Sequence, residues 1–158
     1  VILNGHSGNA PLIDVTARKL KAARGVLVPA IHLWRAIPDS LFRELYGDDL
    51  PKAKGHGADP LTSVYSHLRP ELMRPDLQEA PAEFGTLLGL PTVGLGAVRF
   101  EGVDVSLAVD VTDRCTNGIA GGDPAVASAA RGEAIVDHLV GLCTRFIAHL
   151  KDADTTTT

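Results

Sequence analysis

Apolar positions follow a helical period early in the chain. Leu12, Val15, Leu20 and Ala23 recur at that spacing over residues 10–24, while Arg18, Lys19, Lys21 and Arg24 supply a solvent face. Gly25 is placed to end this helix, because glycine takes the left-handed conformation without a steric penalty. Residues 26–30 then form an unbroken apolar run, the pattern of a strand covered on both faces in a parallel sheet. With Val1-Ile2-Leu3 ahead of it, the pattern predicts a βαβ unit. Further helices are predicted over 38–46 and 60–68, each with a proline in its first turn. The longest is predicted from Pro124 to about Lys151, where Ile135, Leu139, Leu142, Phe146 and Leu150 step by three or four. Two runs, 98–100 and 103–109, flank Glu101-Gly102 and read as a hairpin. The proline-punctuated stretch 69–92 is expected to be irregular, with a short helix over 81–87. No repeat or linker interrupts the pattern, so one α/β domain over 1–152 and a disordered tail over 153–158 are expected.

Composition narrows the class. Apolar residues at 45% and charged residues at 22% are ordinary globular usage, and only 4% aromatics means a core of aliphatic side chains. A net charge of −4 leaves no basic excess with which to neutralise phosphates, which argues against nucleic-acid binding. No apolar run reaches the length of a membrane helix. Cys115 and Cys143 lack CxxC spacing, so reduced thiols in a cytoplasmic protein are expected. Val1–Leu3 reads as the end of a buried strand with the turn already at Asn4-Gly5. Leading strands outside this chain are therefore expected, and a companion polypeptide or oligomer contact along that exposed edge.

Two loops carry candidate chemistry. Asn4-Gly5-His6-Ser7-Gly8-Asn9 lies where a strand gives way to a helix, the crevice in which open α/β sheets bind ligands. His6 there is either a site residue or the exposed histidine of a plain turn whose Asn9 caps the helix. In Gly55-His56-Gly57-Ala58-Asp59-Pro60, His56 suits proton transfer or metal ligation, the roles an imidazole in a glycine-lined loop can take. Asp59 is a metal ligand or, more simply, the helix N-cap. His32, His67, His138 and His149 read as structural or surface residues. The patterns HExxH, GxxxxGK[ST] and GxSxG are all missing.

Asn4 to Asn9 resembles the Asn-Gly-His-Gly-Gly-Asn signature of the creatininase (creatinine amidohydrolase) family. The resemblance continues in order through Trp34, through Gly55-His56-Gly57-Ala58 with Thr62-Ser63, through Arg69-Pro70-Glu71-Leu72, and through Gly122-Asp123-Pro124 with Ala127 and Gly132. It implies a three-layer αβα fold with a mostly parallel sheet, assembled as a homo- or hetero-oligomer. It also implies hydrolysis of a C–N bond in a small cyclic or linear amide, supported by zinc or manganese as one ion or a pair. By the same resemblance His6 is a metal ligand and His56 moves the proton. Trp34, Ser7, Gly8 and Asn9 line the substrate pocket. At the family's Glu before Thr-Ser this chain has Leu61, and Asp59 is the candidate replacement acid. The chain is expected to be the C-terminal part of the family domain, its remaining ligands coming from a companion N-terminal chain. The alternative is a non-catalytic binding or assembly subunit that has lost the metal.

Overall fold

The computed structural model describes residues 1–156, and the chain divides into two compact units, 1–42 with 135 onward, and 43–134. In the first unit, strand β1 (Ile2–Asn4) runs parallel to β2 (Ala30–His32), with Ile2 opposite Ala30, Leu3 opposite Ile31 and Asn4 opposite His32. Helix α1 (Ala10–Arg24) connects them and completes the expected βαβ unit. It stops at Gly25, whose φ of 65° is left-handed and whose N–H reaches the Lys21 carbonyl at 2.8 Å.

The second strand starts later than its apolar run suggests. Pro29 has no N–H to give a ladder and contributes only its carbonyl, which accepts from Ile2 N at 2.9 Å. Val26 pairs instead with Thr156 in an antiparallel bridge, and Leu27 N donates to Thr155 O at 2.7 Å. The tail expected to be disordered thus makes backbone bonds as far as Thr156. Its last two residues, 157 and 158, lie outside the described residues.

Helix α2 (Asp39–Tyr46) follows a single 3₁₀ turn over Leu33–Arg35. In the second unit come α3 (Leu50–Ala53) and α4 (Leu61–Leu68), then an antiparallel meander of β3 (Thr86–Leu87), β4 (Leu90–Val93), β5 (Ala97–Phe100) and β6 (Val103–Ser106). Glu101 and Gly102 take φ of 46° and 83°, the paired positive values of a two-residue hairpin turn. Leu88 and Gly89 do the same between β3 and β4, with φ of 55° and 73°. That turn folds residues 86–93 into a hairpin, and the short helix expected over 81–87 does not form, since 81–85 has no regular structure and 86–87 is strand. Asp123 accepts from Ala125 N at 2.9 Å and holds Pro124–Val126 in a 3₁₀ turn, so the last helix, α5 (Ala129–Lys151), begins beyond it.

The protein is a mixed α/β chain with a parallel pair and an antiparallel sheet. Along α5, Ile135, Leu139 and Cys143 are buried at steps of four, the apolar stripe of an amphipathic helix. By contrast α1 buries none of its residues, and its Leu12 is 69% exposed. Both cysteines are buried free thiols. Among the described residues no helix is long and apolar enough to cross a membrane.

Candidate functional site

Asn4 organises the first loop. It is buried at the end of β1, and its amide nitrogen donates to His32 Nδ1, directly opposite in the ladder, at 2.9 Å. Its Oδ1 accepts from His6 N at 3.2 Å, so one side chain ties the second strand to the turn. Residues Ser7–Asn9 make a 3₁₀ turn into α1, and Asn9 N closes on His6 O at 3.1 Å. The Asn9 side chain makes no capping bond to the helix and reaches toward Asn4 Oδ1 at 3.5 Å. The exposed His6 ring folds across Gly8, where an added Cβ would meet His6 Cε1 at 2.9 Å. Trp34 closes the other side, with its indole N–H donating to Gly5 O at 2.7 Å. Asn4, Ser7, His32, Trp34 and Arg35 enclose about 10 Å³, room for a single water.

His56 and Asp59 belong to the second unit. His56 exchanges two backbone bonds with Ala120, at 2.8 and 2.9 Å, and its Nδ1 lies 2.6 Å from Gly118 O. A carbonyl only accepts, so Nδ1 carries the proton. In the neutral imidazole that leaves Nε2 as the basic nitrogen, on an exposed side chain. The glycines make this arrangement possible. A Cβ on Gly55 would overlap Gly122 N and come within 2.6 Å of Ala120 O, and a Cβ on Gly122 would meet Gly55 N at 2.8 Å.

Asp59 has a different environment from the one its candidate role requires. It is 1% exposed and accepts from Tyr46 Oη at 2.6 Å, Ser63 N at 2.8 Å and Ser63 Oγ at 2.7 Å. Ser63 Oγ in turn accepts from Ser128 N at 3.0 Å. The three bonds use both carboxylate oxygens, so Asp59 ties α2 to α4 and, through Ser63, to the segment before α5. Arg131 lies over the Tyr46 ring at 4.6 Å, donates from Nε to Leu45 O at 2.9 Å and from Nη2 to Asp49 at 3.2 Å, and also bonds Val126 O through Nη1. Burial, then the bond to Asp59, raises the Tyr46 phenol well above its ordinary value of 10.0. Tyr46 and Arg131 were not distinguishable in the sequence, where each has the pattern of an ordinary helix residue, and Ser63 stood out only within the Thr62-Ser63 resemblance.

The resemblance implies a metal, and the donor set bears on that. Among the described residues no group of three or more His, Cys, Asp or Glu side chains is placed to hold an ion. Asp59 is sealed, and Leu61, 50% exposed, offers only an alkyl chain. The described residues therefore do not fit a complete metal centre.

The creatininase family model, described as creatinine amidohydrolase, matches residues 1–147. The chain belongs to that family. A match of this extent gives no support to confining the resemblance to the C-terminal part of the family domain. No curated protein and no solved structure matches the chain.

Proposed function

We propose that this protein hydrolyses a C–N bond in a small cyclic or linear amide, with His56 carrying the proton. One observation supports the role most: the 2.6 Å bond from His56 Nδ1 to Gly118 O, which fixes the tautomer and leaves Nε2 basic. A histidine held in this way takes a proton from attacking water and delivers it to the departing nitrogen, typically worth about 10²–10⁴-fold in rate. Trp34, Ser7, Gly8 and Asn9, all in the first unit, are the residues this reading assigns to substrate binding. His6 is the residue this chain would extend toward a divalent ion, zinc or manganese. The described residues do not by themselves complete the coordination of such an ion.

The apolar face of α1 and β1 supports an assembly in which another polypeptide chain covers it. Leu3, Leu12, Val15 and Leu20 are 47%, 69%, 49% and 41% exposed, and a groove of about 340 Å³ runs between Leu3, Leu12 and Ile13.

The test is an amide-hydrolysis panel that includes creatinine, run on the full chain with added zinc or manganese and on His56→Ala. Turnover by the parent, lost in the variant, is expected. If no amide is turned over under either metal, the second reading takes its place, a binding or assembly subunit. The alkyl Leu61 and the sealed Asp59 carboxylate favour that second reading.

A further inference from the structure

Arg114 is the least reconciled group in the protein. It is 4% exposed, and Nε, Nη1 and Nη2 are all buried with no hydrogen-bond partner among the described residues. A guanidinium keeps its charge in proteins, and burying it without an acceptor is among the costliest arrangements a fold can hold. Such a group in a native protein calls for a specific explanation. The ring of Phe84 lies 5.5 Å from the guanidinium carbon and replaces only a small part of lost hydration.

Three carboxylates of the flanking segments are committed elsewhere. Asp110 and Asp113 close a reciprocal capping box, with Asp110 N on Asp113 Oδ2 at 2.8 Å. Glu79 accepts from Asn117 Nδ2 at 3.1 Å.

We propose that Arg114 is the receptor for the carboxylate of a small ligand, covered by the segment 78–85 when the ligand is away. A carboxylate is the fitting class because its two coplanar oxygens match the guanidinium fork. The cover has no regular secondary structure and is unevenly fastened. Ala82 N holds Ile119 O at 2.9 Å and Asn117 holds Ala80 O at 3.0 Å, but at the Phe84 end Gly85 N reaches Arg114 O only at 3.4 Å. Phe84 is 37% exposed, and the space beside Gly85 is open, since an added Cβ there meets nothing within 4 Å. Lifting that end uncovers the guanidinium while the other end stays attached. The inference does not depend on amide hydrolysis and stands even if the chain turns over no amide.

The experiment is thermal unfolding of the full chain in sodium acetate against sodium chloride at matched ionic strength. The parent's midpoint is expected to rise with acetate concentration, as it does for any ligand that binds only the folded state. Arg114→Met is expected to lose that acetate-specific rise and to melt no lower than the parent in chloride. Arg114→Lys, which keeps the charge without the fork, is expected to retain only part of the rise. Phe84→Ala is expected to reach half of the rise at a lower acetate concentration, because its cover is gone. Coincident acetate and chloride curves for the parent overturn the proposal, as does an undiminished acetate response in Arg114→Met.

Discussion

Nδ1 of His56 lies 2.6 Å from the carbonyl oxygen of Gly118, a side chain of one loop fastened to the backbone of another. The bond orients the ring, and the two backbone bonds to Ala120 hold the residue whatever its side chain. His56→Ala is therefore expected to lower turnover by about 10²–10⁴-fold. Its melting temperature should change little, since the side chain is exposed. His56→Asn keeps a donor for Gly118 but has no basic nitrogen, and it should lose activity to a similar degree. Steady-state kinetics beside thermal melting separate the two effects.

Asp59→Ala should act on stability. It strips the acceptor from Tyr46 Oη and from both Ser63 donors in a buried place, at a cost of about 2–4 kcal/mol. Urea unfolding measures this directly. A variant as stable as the parent would show that the three bonds carry little weight.

Alkaline pH should weaken the fold through Tyr46. Its folded-state pKa is raised, mainly by burial and then by Asp59, so the folded protein holds the phenolic proton more tightly than the unfolded chain does. The associated stability is fully present below the ordinary tyrosine pKa of about 10 and is lost as pH climbs beyond it. Unfolding free energies measured from about pH 9 to about pH 11 should fall more steeply in the parent than in Tyr46→Phe.

Gly55→Ala should be among the most damaging of the small substitutions. Its methyl group would overlap Gly122 N, and backbone atoms cannot rotate away as a side chain does. A loss of about 3 kcal/mol or more is expected, with Gly122→Ala comparable. In contrast, Gly85→Ala meets no neighbour within 4 Å and should be nearly silent. Chemical denaturation of the three variants side by side checks the ordering.

Leu12→Glu tests the assembly. Leu12 is 69% exposed on a helix that buries nothing, so a charge there leaves the chain's own packing untouched. Sedimentation should show a smaller species than the parent forms. A parent that sediments as a monomer would remove the assembly reading.

Local rules carried far in this protein where a single residue decides the backbone. Gly25 ends α1, and Glu101-Gly102 turns β5 into β6, because both depend only on short-range sterics. The start of β2 was less legible, since an apolar run marks burial but not register, and Pro29 displaced the ladder toward His32. The same limit applied to the candidate residues. The glycines around His56 permit a close backbone approach, which Gly55 makes against Gly122. Asp59 looked the same in sequence whether it faced solvent or Tyr46, for its partners come from α2 and α4 and no local pattern encodes them. Arg131 was hidden for the same reason, two of its three acceptors lying far from it along the chain.

Trp34 is the chain's single tryptophan, and its indole N–H is bonded to Gly5 in the loop that carries His6. Its emission is therefore an optical reporter confined to that loop. A zinc or manganese titration that shifts the emission wavelength would register an event at residues 4–9, with no engineered label and no background from a second indole. The two tyrosines, Tyr46 and Tyr65, both fall in the other unit, so excitation at the red edge of the indole band would follow unfolding of the first unit by itself.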